Sequence, residues 1–260
     1  MKETRFLEGG RKTQNISIEI DGPTSPRVSI IIVTYNAATT LQNCLNSVFK
    51  QRYFNLELII IDGASTDGTI EILKENSHYI GYWRSENDTG IYDAMNKALK
   101  YITGKWVYFI GADDTLREEF SDLIGDLKDS FGIYYGSVWC RGKKCSGFIN
   151  QYYQAKVGLY HQSMVYPAAV FKYHQYDVKY KIAADYVLNM RLNKDKRFHF
   201  IFKDYIIADF NHTGVSGENR DEELEKNKSR LILENFGPKV WIRYRFREMK
   251  AQLRKFVKRK

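Results

Sequence analysis

Nothing in the 260 residues approaches the run of roughly 20 apolar residues that crosses a bilayer. The opening stretch, MKETRFLEGGRKTQN, carries charge and glycine but no apolar core, so no secretory leader is expected. Cysteine is sparse. Cys44, Cys140 and Cys145 form an odd set, which argues against a disulfide framework and fits a reducing compartment. Cys140 and Cys145 lack the second pair or close histidine that a metal site would need, and they read as two ordinary thiols on a hairpin. The chain has no internal repeat and no low-complexity segment. Excess charge is missing from most of it as well. Of the net +9, the stretch from Arg243 to Lys260 holds +8, with nine basic residues against Glu248 alone. The remainder is close to neutral, which weakens a nucleic-acid reading based on global charge.

What the chain does have is an apolar fraction of 43% and an aromatic fraction of 15%, enough for one large α/β domain with its own core. Residues 1–26 read as a poorly ordered lead-in closed by the turn-rich DGPTSPR. VSIIIVT (28–34) is a continuous β-branched run, as expected of a strand covered on both faces. Leu41, Cys44, Leu45, Val48 and Phe49 follow at helical spacing. LELIIID (56–62) is a second such strand, and STDG supplies the cap of another helix, with Asp67 best placed for that task. IGYWRS reads as a short strand, Ile91, Met95, Leu99 and Ile102 as one side of a helix, and KWVYFI (105–110) as a third buried strand. Strands alternating with helices in this order predict a mainly parallel sheet with helices on both faces. In the second half, FGIYYGSVWC and SGFI suggest a hairpin around Gly142, ADYVLNMRLN a helix, and FHFIFKDYIIADF two short strands. This half is expected to fold back on the first sheet.

Ligands of open α/β sheets sit beyond the carboxyl ends of the strands. Those ends are TYN (34–36), DGASTDG (62–68) and GADD (111–114), all polar and two of them acidic. Three such ends can converge on one cleft, and a nucleotide-type pocket is plausible there.

VSIIIVTYNAATTLQNCLNSVFKQ, LELIIIDGASTDGTIEIL and GIYDAMNKALKYITGKWVYFIGADDTL resemble the family 2 glycosyltransferases in order and spacing from about Val28 to Leu116. The likeness continues more loosely through HQSMVYP (161–167) and IAADYVLNMRL (182–192), which is similar to bacterial members that build capsule and exopolysaccharide. The resemblance implies the GT-A fold, a Rossmann-like α/β architecture with a mixed, mainly parallel sheet flanked by helices. The expected organisation is a lead-in over 1–26, the GT-A domain over 27–235 and a basic amphipathic helix over 236–260.

The resemblance also implies a nucleotide-sugar donor, UDP- or GDP-linked, and a divalent cation, Mg²⁺ or Mn²⁺. Thr34, Tyr35 and Asn36 would line the base pocket, with the Tyr35 ring suited to stacking, and Asp62 would accept a hydrogen bond from the base. Arg84 and Asp88 are candidates to face the donor. The family's metal motif is Asp-x-Asp, usually followed by another Asp. Here it reads Gly111-Ala112-Asp113-Asp114, so the first acid is a glycine. Asp113 matches the acid expected to reach the metal, and Ala112 lies beside it. A cation carried by a diphosphate needs few protein ligands, so one carboxylate can suffice. Gly111 is expected to let the backbone turn close to the donor, and Asp114 to cap the helix that follows.

Sugar transfer needs a base for the acceptor hydroxyl. The family uses the Asp of a Glu-Asp pair opening a helix. Ala184-Asp185 matches it, which makes Asp185 the candidate, although an acid in a first turn also serves the helix dipole alone. His161 and Gln162, ahead of an apolar strand, are assigned to the acceptor side. His212 in NHTGVSG joins them, where related enzymes sometimes add a late ligand to metal or phosphate.

In the tail, Trp241 or Ile242, Phe246, Met249, Leu253 and Phe256 recur at helical intervals between basic residues, as in a helix lying on an anionic membrane surface. The sequence therefore reads as an inverting glycosyltransferase that acts on a glycan or lipid-linked acceptor in surface polysaccharide synthesis. It would be cytoplasmic and peripheral on the inner face of a bacterial membrane, with no nucleic-acid partner. The alternatives are an inactive homologue acting as a membrane-associated scaffold, or a nucleotidyltransferase. The latter usually opens with a Gly-rich basic loop where this chain has TYNAATT.

Overall fold

A computed structural model describes residues 6–14, 25–212 and 220–257, with the backbone course alone for 255–257. The continuous β-branched runs form the middle of one ten-stranded sheet. Strands β2 (Val28–Thr34), β3 (Leu56–Asp62), β4 (Tyr82–Ser85) and β5 (Trp106–Gly111) run parallel in the order β4-β3-β2-β5. Strand side chains alternate between faces, so each run feeds two cores at once. Ile31, Ile59, Val107 and Phe109 enter one cluster, while Ile30, Ile32, Ile60, Tyr108 and Ile110 enter the other. Helices α1 (Leu41–Phe49), α2 (Thr69–Glu75) and α4 (Glu119–Gly125) cover the second of these clusters. Helices α3 (Ile91–Ala98) and α7 (Ala184–Lys194) cover the first.

The second half does join the same sheet. Strand β9 (Met164–Pro167) lies antiparallel between β5 and β7 (Gly132–Cys140). The hairpin expected around Gly142 is present, with β7 turning into β8 (Lys143–Ser146). Short α5 (Gln151–Val157) lies between β8 and β9, and α6 (Val170–Tyr173) follows β9 on the way to α7.

Three expectations need correction. FHFIFKDYIIADF is one long strand, β10 (His199–Asp209), parallel to β7, with a register shift between Phe202 and Ile206. Its charged pair fits a bulge: Lys203 turns to Asp126 at 2.9 Å and Asp204 meets Lys144, while the ladder resumes beyond them. Part of the lead-in is ordered as well. Strand β1 (Leu7–Gly9) pairs antiparallel with β4, and Lys12 reaches the buried Glu57 at 2.7 Å. Asp114 caps no helix, because the two-residue β6 (Thr115–Leu116) follows it and pairs with β10 before α4 begins.

The last helix, α8 (Glu222–Val257), is interrupted at Gly237, whose φ of 79° only glycine adopts cheaply, next to Pro238. Among the described residues no helix is long and apolar enough to cross a membrane.

Candidate active site

The chain leaves β2 for β3 and β4 on one side, then returns to β5 on the other. The strand order therefore reverses between β2 and β5, where open α/β sheets bind ligands. A cleft of about 1440 Å³ opens at that point. It is lined by Thr34, Tyr35, Asn36, Ala112, Asp113 and Asp185 among others.

Register brings the strand ends together, with Thr34 opposite Asp62 and Val33 opposite Gly111. Tyr35 is 69% exposed and projects from the end of β2. Asn36 follows with φ 49°, a left-handed turn that asparagine tolerates, and its side-chain oxygen accepts from the Thr66 amide at 3.0 Å. Asp67 accepts the Thr69 amide at 3.1 Å at the head of α2, from one residue before the N-cap itself, which is Gly68. Bonding from Thr69 holds its carboxyl below the usual range.

Asp62 does not line the cleft. It is fully buried and accepts from the Thr34 hydroxyl at 2.9 Å, the Ser65 amide at 2.9 Å, the Ser65 hydroxyl at 2.5 Å and the Ser85 hydroxyl at 2.7 Å. These four donors stitch β2, the β3 loop and β4 into one platform. The carboxylate that does line the cleft beside Tyr35 is Asp88. A Cβ on Gly63 would lie 2.7 Å from Asp88 Oδ2 and 3.4 Å from the Tyr35 ring, so both groups crowd the same point. Burial raises the Asp88 carboxyl, opposed by its bond from the Gly90 amide at 2.8 Å. Arg84 faces the β1 edge. It pairs with Glu86 at 2.7 Å and stacks over Phe6 at 3.8 Å, outside the cleft.

The glycine that breaks the Asp-x-Asp pattern has a steric explanation. A Cβ at Gly111 would meet Asp114 Oδ2 at 2.7 Å and Asp113 Oδ1 at 2.9 Å. The space a first aspartate would need is filled by the two carboxylates that follow. Close approach, not an unusual turn, is what requires glycine here. Asp114 is 1% exposed and accepts from Gln162 Nε2 at 2.9 Å and from the Asn211 amide at 2.7 Å. Burial, reinforced by Asp113, pushes its carboxyl up to about 7. Asp113 stays at the cleft surface and receives the Asn211 side-chain amide at 3.2 Å. Gln162, assigned from sequence to the acceptor side, lines the cleft and also supports Asp114. Asn211 went unnoticed. The carboxylates it bonds are nearly a hundred residues away, and the sequence marks it only by its position beside His212.

With Asp114 buried and bonded at both oxygens, Asp113 is the member of the pair that suits a cation bringing its own oxygens. Among the described residues no group of three His, Cys, Asp or Glu could hold a metal. A hard divalent ion that keeps water and takes phosphate oxygens needs little more than Asp113.

Asp185 lines the cleft from the first turn of α7. It caps nothing. The amides of Ile182 and Ala183 are taken by Asp221, at 2.8 and 3.2 Å. Its Oδ1 meets the hydroxyl of Tyr92, a residue absent from the sequence reasoning, at 2.6 Å. His161 is buried against Phe109, with ring centroids 5.0 Å apart, and its Nε2 meets the Tyr176 hydroxyl at 2.9 Å. Burial depresses its pKa, so the ring is neutral and structural, although it borders the cleft. His212 is half-buried at the cleft wall, beyond the end of β10.

The glycosyl transferase family 2 model matches residues 29–202. The chain belongs to this family. Curated relatives include a "PGL/p-HBAD biosynthesis glycosyltransferase" of Mycobacterium bovis, 31% identical over 215 residues, covering 78% of this chain and 84% of the relative. "Glycosyltransferase GlyA" of Streptococcus pneumoniae is 33% identical over 101 residues, covering 38% of this chain and 14% of that protein. Among solved structures, S. aureus TarS superposes with TM-score 0.63 at 21% identity, over 80% of this chain and 40% of its own. A Pyrobaculum calidifontis mannosyltransferase, solved with GDP-Man and Mn²⁺, superposes with TM-score 0.56 at 18% identity, over 86% and 68% of the two chains. The fold of this family 2 member is therefore GT-A, and the chain is a glycosyltransferase.

Proposed function

We propose that this glycosyltransferase moves a sugar, with inversion, from a UDP- or GDP-linked donor to a hydroxyl of a glycan or lipid-linked acceptor in surface polysaccharide synthesis. One observation carries the reading. An exposed tyrosine and a half-free carboxylate at adjacent strand ends share a cleft with a second carboxylate, Asp185, that comes from a different element and has no capping duty.

In this reading the base stacks on Tyr35, with Asn36 and Asp88 beside it and Asp62 acting from below through Thr34 and Ser65. Asp113, next to Ala112, would hold the cation, and a bound Mg²⁺ or Mn²⁺ would help to neutralise the leaving diphosphate. Asp185 takes the proton of the acceptor hydroxyl as that oxygen bonds to the anomeric carbon and the bond to the diphosphate breaks on the other face. Holding donor and acceptor in line contributes much of the remaining acceleration. His161 supports the wall near Asp185, and His212 borders the diphosphate side.

The C-terminal segment supports a membrane-surface partner. Ile242, Phe246, Met249 and Leu253 are 60, 54, 49 and 58% exposed at helical spacing among basic residues, while Trp241 and Tyr244 pack inward. Phe256 lies beyond the side chains described. An enzyme held this way on the cytoplasmic face of a bacterial inner membrane would meet a lipid-linked acceptor where it resides. Sedimentation with acidic but not zwitterionic vesicles, lost in Ile242→Glu/Phe246→Glu, is the expected outcome.

The donor reading is tested by thermal shift against UDP-GlcNAc, GDP-mannose, UDP and GDP, with and without Mn²⁺. Metal-dependent stabilisation by one nucleotide family, lost in Asp113→Ala, is expected. No shift with any nucleotide would favour a scaffold homologue.

A further inference from the structure

Tyr92 sits in the first turn of α3, two residues past Gly90, and is 7% exposed. Its ring packs on Tyr176 with centroids 5.4 Å apart, so the phenol is fixed in direction. The hydroxyl lies 2.6 Å from Asp185 Oδ1 and 2.8 Å from the Ile182 carbonyl oxygen. Neither the carbonyl nor an ionised carboxylate brings a proton, so the single phenolic proton is contested by two acceptors. It goes to the carboxylate while that group is charged, because charge-assisted bonds are the stronger ones. Once Asp185 is protonated, the same proton can turn to Ile182.

Resting on the reading of Asp185 as the base, we propose that Tyr92 is its positioning residue: the phenol fixes Oδ1, favours the ionised carboxylate and leaves Oδ2 for the acceptor hydroxyl. Among the described residues nothing donates to Oδ2. The proton balance is simple. The acceptor O–H breaks, a new O–H forms on Asp185, and Tyr92 keeps its own proton throughout.

The surroundings point the same way. Asp221 takes the backbone amides at the head of α7, so the carboxylate is not drawn into capping. The other ionisable neighbours are His161 ahead of β9, Tyr166 on β9 and Tyr176 in the loop before α7, all of which feel the Asp185 charge. Asp221 acts on Tyr92 from the head of α8. The imidazole of His161 is spent on Tyr176, and Tyr166 donates to Asn189 at 3.0 Å. Tyr92 is therefore the described side chain that bonds Asp185. Burial and the neighbouring charge hold its phenol well above the usual tyrosine range, so it remains a donor at every working pH.

The test compares wild type, Tyr92→Phe, Asp185→Asn and the double variant. Carboxyl carbon NMR of aspartate-labelled protein, with the Asp185 signal assigned by its loss in Asp185→Asn, follows protonation without any ligand. Removing a donor to the charged form is expected to move that signal's midpoint, and the acid limb of kcat/KM, to higher pH. Turnover is read as UDP released from UDP-GlcNAc or GDP from GDP-mannose, with water as acceptor. We expect Tyr92→Phe to lower kcat about tenfold at unchanged donor KM, and to add nothing in the Asp185→Asn background. A lower Tm with an unmoved midpoint would reduce Tyr92 to a packing residue and overturn the proposal. Full turnover by Asp185→Asn would instead remove the base itself, so the two failures are distinct.

Discussion

The cleft has two walls of different construction. One is the row of strand ends from β2, β3 and β5, held by parallel ladders and buried apolar residues on both faces. The other is assembled from the β7–β8 hairpin, α5, the turn at His161, the end of β10 and the head of α7. In the first wall the chemistry follows from how each carboxylate is satisfied. Asp62 is saturated by four neutral donors and serves as framework, whereas Asp113, bonded by the Asn211 side-chain amide, stays open to the cleft. In the second wall function depends on residues from distant elements meeting, as Tyr92 meets Asp185. A polar residue at a strand end is thus a site candidate only when its neighbours leave it something to bind.

The sharpest test of this contrast lies in the second wall. Asp185→Asn is expected to lower transfer by about 10²–10⁴-fold, the usual worth of a general base, while nucleotide-induced stabilisation is retained. A loss of nucleotide binding in that variant would mean that the two walls are not separable. In the first wall, Asp62→Ala leaves several buried hydroxyl and amide donors unpaired and should cost about 2–4 kcal/mol in urea unfolding. Asp88→Ala, by contrast, should leave stability nearly unchanged and weaken nucleotide binding. The reverse result would return base recognition to Asp62.

Gly111→Ala should weaken metal-dependent nucleotide binding by displacing both carboxylates, with isothermal titration as the readout. Unchanged affinity would show that the carboxylates have room to give. A smaller effect concerns His161. Because burial depresses its pKa below the unfolded value, its contribution to stability is present above about pH 6.5 and is lost as pH falls below that. Tm measured at pH 7.5 and 5.5 should therefore drop less in His161→Gln than in wild type. Arg84→Ala should change nucleotide binding least of all, since its partners Glu86 and Phe6 lie outside the cleft.

The two walls also differ in how far the sequence discloses them. Continuous β-branched runs such as VSIIIVT announce doubly covered strands, and the register of the parallel ladder then aligns Thr34, Asp62 and Gly111 without further information. Beyond that ladder the signals are weaker. Lys203 and Asp204 interrupt an apolar run and suggest two strands, when the charged pair marks a bulge within one. Leu7–Gly9 is too short and exposed to look like a strand before β4 is there to pair with it. Asp114 reads as a local cap because Asn211 and Gln162, which bond it, are remote in sequence. Arg84 reads as a donor contact until the β1 edge places Phe6 over it. Tyr92 has no local mark at all, since its partner lies on another helix.

The contact between Asn211 and the acidic pair also bears on the order in which the protein matures. The parallel strands β2 to β5 can assemble from residues 28–111 by short crossovers, but Asp113 and Asp114 receive their clamp only when β10 has paired with β7 and β6. Until then two adjacent carboxylates repel each other at the rim of a finished sheet. Contacts of such long sequence separation form late. The nascent enzyme would thus acquire its core well before it acquires a competent donor pocket, and a ribosome-bound chain ending near residue 205 should resist proteolysis through β5 yet fail to retain nucleotide.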